Sequence, residues 1–154
     1  MKKIDLASAP TGAGSRYPAP YDEPCKARTW VQLGIAAGLT QFGVNLLRLE
    51  PGVWSSQRHW HEKEDEFVYV LEGEVTLVTN SGEEKLRAGE CAGFKAGVRD
   101  GHCLQNRGEK AALILVVGAR DDGDCGEYSD IDMQFLPGRY SGGGGYARKN
   151  GEKL

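Results

Sequence analysis

A chain of 154 residues is long enough for one domain with a full core and short for two. Hydrophobic residues at 40% and charged residues at 27% describe a soluble globular protein and exclude a disordered one. The formal charge of −3 comes with no basic stripe, which argues against nucleic acid as a partner, and no apolar run approaches the roughly 18 residues of a membrane span.

In chain order, "MKKIDLASAP" carries two lysines and small residues but no apolar h-region, since Asp5 interrupts it. An untargeted, cytoplasmic start is expected. Residues 1–27 are rich in Pro, Gly, Ala and Tyr without a period, and are expected as an N-terminal arm that lies extended on something else or stays loose. Residues 28–120 alternate short β-prone segments with turn chemistry: "TWVQL", "TQFGVNLLRL", "EFVYVL", "VTLVT" and "ALILVV". A hairpin is expected to turn near Asn80-Ser81-Gly82. No stretch has a convincing helical period, and "GIAAGL" is too short to argue for one. The fold class is therefore all-β, an antiparallel sandwich or barrel. Residues 121–154 form a C-terminal extension, acidic at first; its four-glycine run predicts a flexible tip or tail. The four cysteines (Cys25, Cys91, Cys103, Cys125) form no C-x-x-C pair and are expected as free thiols.

The histidines carry the chemistry. The chain has three, and two of them flank Trp60 in "RHWHEKEDEFVYVLEG". Side chains two residues apart share a face only on an extended backbone, so His59 and His61 can close on one ion if this stretch is extended. Beyond the charged turn "EKED", Glu66 opens a strongly β-prone segment and would return alongside them. Two imidazoles and a carboxylate suit a first-row metal. His102, in "GECAGFKAGVRDGHCLQN", can arrive from a distant strand, which makes every histidine in the chain available to one site.

These segments resemble the two sequence motifs of the cupin superfamily. Gly52, His59, His61, Glu66 and Gly73 occupy the places of the first motif, and Gly89, Gly97, His102 and Asn106 those of the second. Lys95 stands where the second motif usually has proline, a departure that touches a turn and not a ligand. The resemblance covers residues 44–117, and the flanking segments are similar to a subgroup of small single-domain cupins, many of them uncharacterised or only provisionally named sugar-phosphate isomerases. It implies a double-stranded β-helix, a jelly-roll barrel, holding one divalent first-row metal ion (Mn, Fe, Ni or Zn) by His59, His61, Glu66 and His102.

Around that set, Asp65 is a candidate to support a ligand histidine. Trp60 and Cys103 should face away from the ion by strand parity. Arg58 and Arg99 are candidates for an anionic substrate, and Tyr128, Asp130 and Asp132 for proton transfer. Val68 and Val70 share parity with Glu66 and should face the barrel interior, leaving Phe67, Tyr69 and Leu71 to be covered by the arm or a second subunit. The expected assembly is a homodimer. Four protein ligands leave two places on an octahedral ion for a small polar metabolite, so isomerase, lyase and dioxygenase chemistry all remain open. The alternative is a non-catalytic metal-dependent binding or sensing module, and the absence of any helix-turn-helix tilts the choice toward an enzyme.

Overall fold

The structure, a computed structural model, describes residues 3–154; Met1 and Lys2 of the stretch read as untargeted lie outside them. Among the described residues, twelve strands form three sheets: β1 Thr11–Ala13, β2 Thr29–Gln32, β3 Phe42–Leu49, β4 Glu66–Glu72, β5 Glu74–Thr79, β6 Gly82–Arg87, β7 Cys91–Phe94, β8 Cys103–Gln105, β9 Ala112–Ala119, β10 Gly126–Glu127, β11 Gln134–Phe135 and β12 Tyr146–Ala147. A six-stranded sheet runs β1-β2-β3-β9-β4-β7, a second runs β6-β5-β8, and a third runs β10-β11-β12. All the β-prone segments of the sequence lie on strands. A single helical turn, α1 Leu33–Ala36, occupies part of the "GIAAGL" region. Among the described residues no helix is long and apolar enough to cross a membrane.

Period-two patterning builds the barrel. On β4, Val68 and Val70 point inward at 5% and 0% exposure, whereas Phe67, Tyr69 and Leu71 stand 41%, 36% and 40% exposed. The inward side chains of β4 meet Leu47 and Leu49 of β3 and Ala112 and Ile114 of β9. From the facing sheet, Val75, Leu77, Leu86 and Leu104 complete the core. The β4–β5 connection is the tight one: Gly73 sits at φ +78°, and a Cβ there would lie 2.8 Å from the Ala111 carbonyl oxygen. The β5–β6 hairpin turns through Asn80-Ser81, with Thr79 opposite Gly82 as the turn chemistry predicts.

Asn106 ties the two motifs together from a fully buried position. Its amide donates to the carbonyls of Leu49 and Lys110, both at 2.8 Å, and accepts from the Gly108 N–H at 3.0 Å. Asn106→Ala strips two carbonyls of their donors and is expected to cost about 2–3 kcal/mol in urea unfolding. Without proline, the Lys95 turn still closes. Val98 N–H reaches the Lys95 carbonyl, and Gly97, at φ +77°, donates to the His61 carbonyl at 2.8 Å.

The termini are more structured than their composition suggests. The arm folds back on its own sheet instead of reaching outward: Thr11 pairs with Val31 and Gly12 with Trp30. It therefore leaves the outer face of β4 uncovered. The glycine run in 121–154 suggests a flexible tail, but this extension forms the β10-β11-β12 sheet. Tyr128, Met133 and Phe135 bury there against Tyr17, Tyr21 and Tyr146. The physical reason is aromatic area, enough to offset the chain entropy that the glycines add.

Candidate metal centre

The segment carrying His59 and His61 runs extended between two neighbours. His59 exchanges backbone hydrogen bonds with His102, 3.2 Å from the His59 N–H and 2.9 Å from the His102 N–H. On the other side it bridges Tyr128. A directly opposed antiparallel pair points both side chains to one face, so His59 and His102 share the barrel interior. Two residues on, His61 points the same way, and Glu66 enters from the start of β4.

The four side chains meet around one oxygen. Glu66 Oε2 lies 2.8 Å from His102 Nε2, 3.4 Å from His61 Nε2 and 3.9 Å from His59 Nε2. The donor atoms of His59, His61 and Glu66 all fall within 4.8 Å of one another; His102 stands just outside that triple and joins it through Glu66. His61 Nε2 is buried and has no hydrogen-bond partner, an available lone pair aimed at the cluster. His59 donates through Nδ1–H to the Gln57 carbonyl, 2.9 Å away, and the His102 ring stacks on Phe94 at 3.6 Å. Burial, reinforced by the neighbouring His61, pushes His59 down to about 3, so its imidazole is neutral. For Glu66, burial alone would raise the carboxyl, but the His102 hydrogen bond and the electrostatic influence of neighbouring His61 hold it well below the usual range. A neutral His59 imidazole, an ionised carboxylate and the unpartnered Nε2 of His61 fit a divalent cation.

His61 is fixed from behind by a group that the sequence analysis did not select. Its Nδ1 lies 2.7 Å from Asp124 Oδ2, and Asp124 also accepts from the Lys63 N–H at 2.8 Å. Arg139 donates to both Asp124, at 3.1 Å, and Glu64. Glu64 further accepts from Tyr140 Oη at 2.9 Å and the Asp121 N–H at 2.8 Å. His61, Glu64 and Asp124 thus form a second compact cluster, but Arg139 supplies its positive charge and it serves as a buried ion network. Asp65, the expected support, is exposed and instead accepts from the Ala96 N–H.

Other expected groups divide clearly. Tyr128 is buried and stacks on the His59 ring with centroids 5.6 Å apart; burial raises its phenol well above the ordinary value. Asp130 is exposed and pairs with Arg58, and Asp132 pairs with Arg148, so neither reaches the cluster. Arg58 spends its guanidinium on both oxygens of Asp130, and Arg99 lies over Trp60 beside Glu62. Cys103 borders the cavity but belongs to neither donor cluster, and burial pushes its thiol up to about 11. All four cysteines are unpaired.

A cavity of about 260 Å³ opens beside the cluster, bordered by His59, Glu66, His102, Val68 and Val116. Tyr17, Arg28 and Trp30 wall it and also wall a wider space of about 760 Å³ that contacts Tyr128, Arg139 and Tyr146.

Known proteins resemble this chain in sequence and fold. The Cupin domain family model matches residues 45–118. A sugar phosphate isomerase from a cupin superfamily, from Silicibacter pomeroyi, is 44% identical, with 99% of this chain and 96% of that chain covered and a TM-score of 0.94. A protein from Acidithiobacillus ferrooxidans, provisionally named a sugar phosphate isomerase, is 29% identical over 83% of this chain and 80% of its own, with a TM-score of 0.75. The polyketide cyclase RemF from Streptomyces resistomycificus shares the fold at 22% identity and a TM-score of 0.62, covering 79% of this chain and 80% of that chain. Among curated protein sequences, none matches. An all-β barrel with both histidine motifs in place, and a relative this similar along nearly its whole length, make this chain a member of the cupin superfamily.

Proposed function

We propose that this protein is a metal-dependent isomerase of a small phosphorylated sugar. His59, His61, Glu66 and His102 together hold one divalent first-row ion, Mn, Fe, Ni or Zn. The observation that carries the reading is the convergence of three Nε2 atoms on Glu66 Oε2, in a chain 44% identical to a cupin sugar phosphate isomerase. When bound, the ion supplies Lewis-acid polarisation to two oxygens of a sugar. The chain's own residues do the rest. Asp124 accepts from His61 Nδ1–H, which leaves the Nε2 lone pair free. Tyr128, whose proton is retained by burial, acts as a hydrogen-bond donor at the cavity wall and not as a base. Val68, Val116 and Phe94 keep the inner cavity apolar and limit water.

Metal analysis of the purified protein, followed by NMR of aldose and ketose phosphates incubated with it, tests this reading. Interconversion that chelator abolishes supports it. Tight binding of a metabolite with no turnover would instead favour a sensing module.

Acidity should release the metal. Burial is the largest influence on His61 and opposes its protonation, but the Asp124 hydrogen bond and the charges of Glu66 and Asp124 together outweigh it and raise His61 above its ordinary value. A proton therefore competes for His61 at higher pH than for a free imidazole, whereas His59 competes only far lower. Apparent affinity should fall roughly tenfold per pH unit below the His61 pKa, measured by chelator competition between about pH 8 and about pH 5.

The exposed face of β4 supports a homodimer, since neither the arm nor the extension covers Phe67, Tyr69 and Leu71. Sedimentation at micromolar concentration should give a dimer that Tyr69→Glu dissociates; a monomeric wild type would contradict the assembly. Four unpaired cysteines suit the cytoplasm as its working compartment.

A further inference from the structure

We propose that Arg28, assisted by Arg16, forms an anion subsite in the cavity leading to the histidine cluster. The bound molecule then carries a phosphate or carboxylate group separate from the oxygens it turns toward the histidines. This rests on the proposed ligand site and names the residues that would recognise one end of its occupant.

The first observation is charge. The chain has 22 acidic and 19 basic residues, yet the wider cavity is bordered by three arginines (Arg16, Arg28 and Arg139) and by no Asp or Glu. Arg139 is already neutralised by Glu64 and Asp124 behind the wall. Arg16 and Arg28 are not: among the described residues, neither has a carboxylate within ion-pair distance.

The second observation is how Arg28 is held. Its Nε donates to the Gly14 carbonyl at 2.7 Å and its Nη1 to the Ser55 carbonyl, so two neutral acceptors fix the guanidinium plane. Its carbon lies 5.9 Å from the Tyr17 ring centroid and 5.5 Å from that of Trp30. Among the described residues Nη2 makes no hydrogen bond. Arg28 borders both cavities, and so do His59, Tyr17 and Trp30. A half-buried cation that is oriented but not neutralised is costly to keep, and an incoming anion offsets that cost. Guanidinium also matches the fork geometry of phosphate and carboxylate. Arg58, the arginine nearest the histidines in sequence, cannot take this part because Asp130 occupies it.

Calorimetric titration of the metal-loaded protein with ribose 5-phosphate, glucuronate and ribose tests the subsite, and the first two separate phosphate from carboxylate. At least one anionic sugar should bind about tenfold tighter than ribose, and Arg28→Lys should erase most of that preference while leaving ribose affinity unchanged. Because Arg28 also anchors the arm, Arg16→Gln provides the second variant. Arg16 is exposed and makes no side-chain hydrogen bond among the described residues, so its loss should narrow the preference severalfold without altering the melting temperature. Equal binding of all three sugars, no binding of either anionic sugar, or an equal loss for ribose in both variants would overturn the subsite. An arginine-dependent preference without turnover retains the subsite and removes the isomerase reading. Turnover of a sugar phosphate with KM unchanged in both variants does the reverse.

Discussion

His59→Ala combined with His102→Ala is expected to give a folded protein that retains no metal after dialysis. The hydrogen bonds that join these two residues run between backbone atoms and survive loss of both rings. What disappears is two of the three imidazole donors around Glu66 Oε2, leaving His61 and Glu66. If a four-donor site contributes about 10–16 kcal/mol, each donor is worth roughly a hundredfold in affinity, and the pair about ten-thousandfold. Elemental analysis beside a thermal melt reads both halves of the expectation. Full metal content in the double variant would remove these residues from the site.

Asp124→Asn should weaken metal binding by about 10- to 100-fold while every proposed ligand remains. An asparagine keeps the shape but removes the charge that fixes the His61 ring with Nε2 toward the cluster. It also leaves Arg139 with Glu64 alone, which should lower stability by about 3 kcal/mol because the guanidinium is half-buried and its Nε has no partner. The two readouts separate the roles. If stability falls but metal affinity holds, Asp124 is a structural counter-ion only.

The contrast between His61 and Asp124 shows what a sequence makes legible. Both histidines of the first motif, Glu66 and the inward Val68 and Val70 follow from local spacing, because strand parity is a short-range rule. Asp124 lies 63 positions from His61 and sits in "RDDGD", which has the composition of a solvated loop. Nothing local marks one of those aspartates as buried. Asp65, adjacent to a ligand candidate, looked better and was turned away by its neighbour's geometry. The small sheet of the extension is hidden in the sequence for a related reason. Four glycines dominate its composition, whereas Tyr128, Met133, Phe135 and Tyr146 bury only through contact with Tyr17 and Tyr21 more than a hundred residues earlier. The four-residue helix at Leu33–Ala36 is too short for any periodic signal.

The two ends of the chain build most of the wider cavity's wall, whereas all four candidate ligands lie on the barrel between residues 59 and 102. That separation divides inheritance into two parts. Changes in the arm or in residues 121–154 alter the shape and charge that an incoming molecule meets, and they leave the β3, β4 and β9 ladders intact. One barrel can thus keep its donor cluster while its descendants come to admit different small molecules by rewriting their termini.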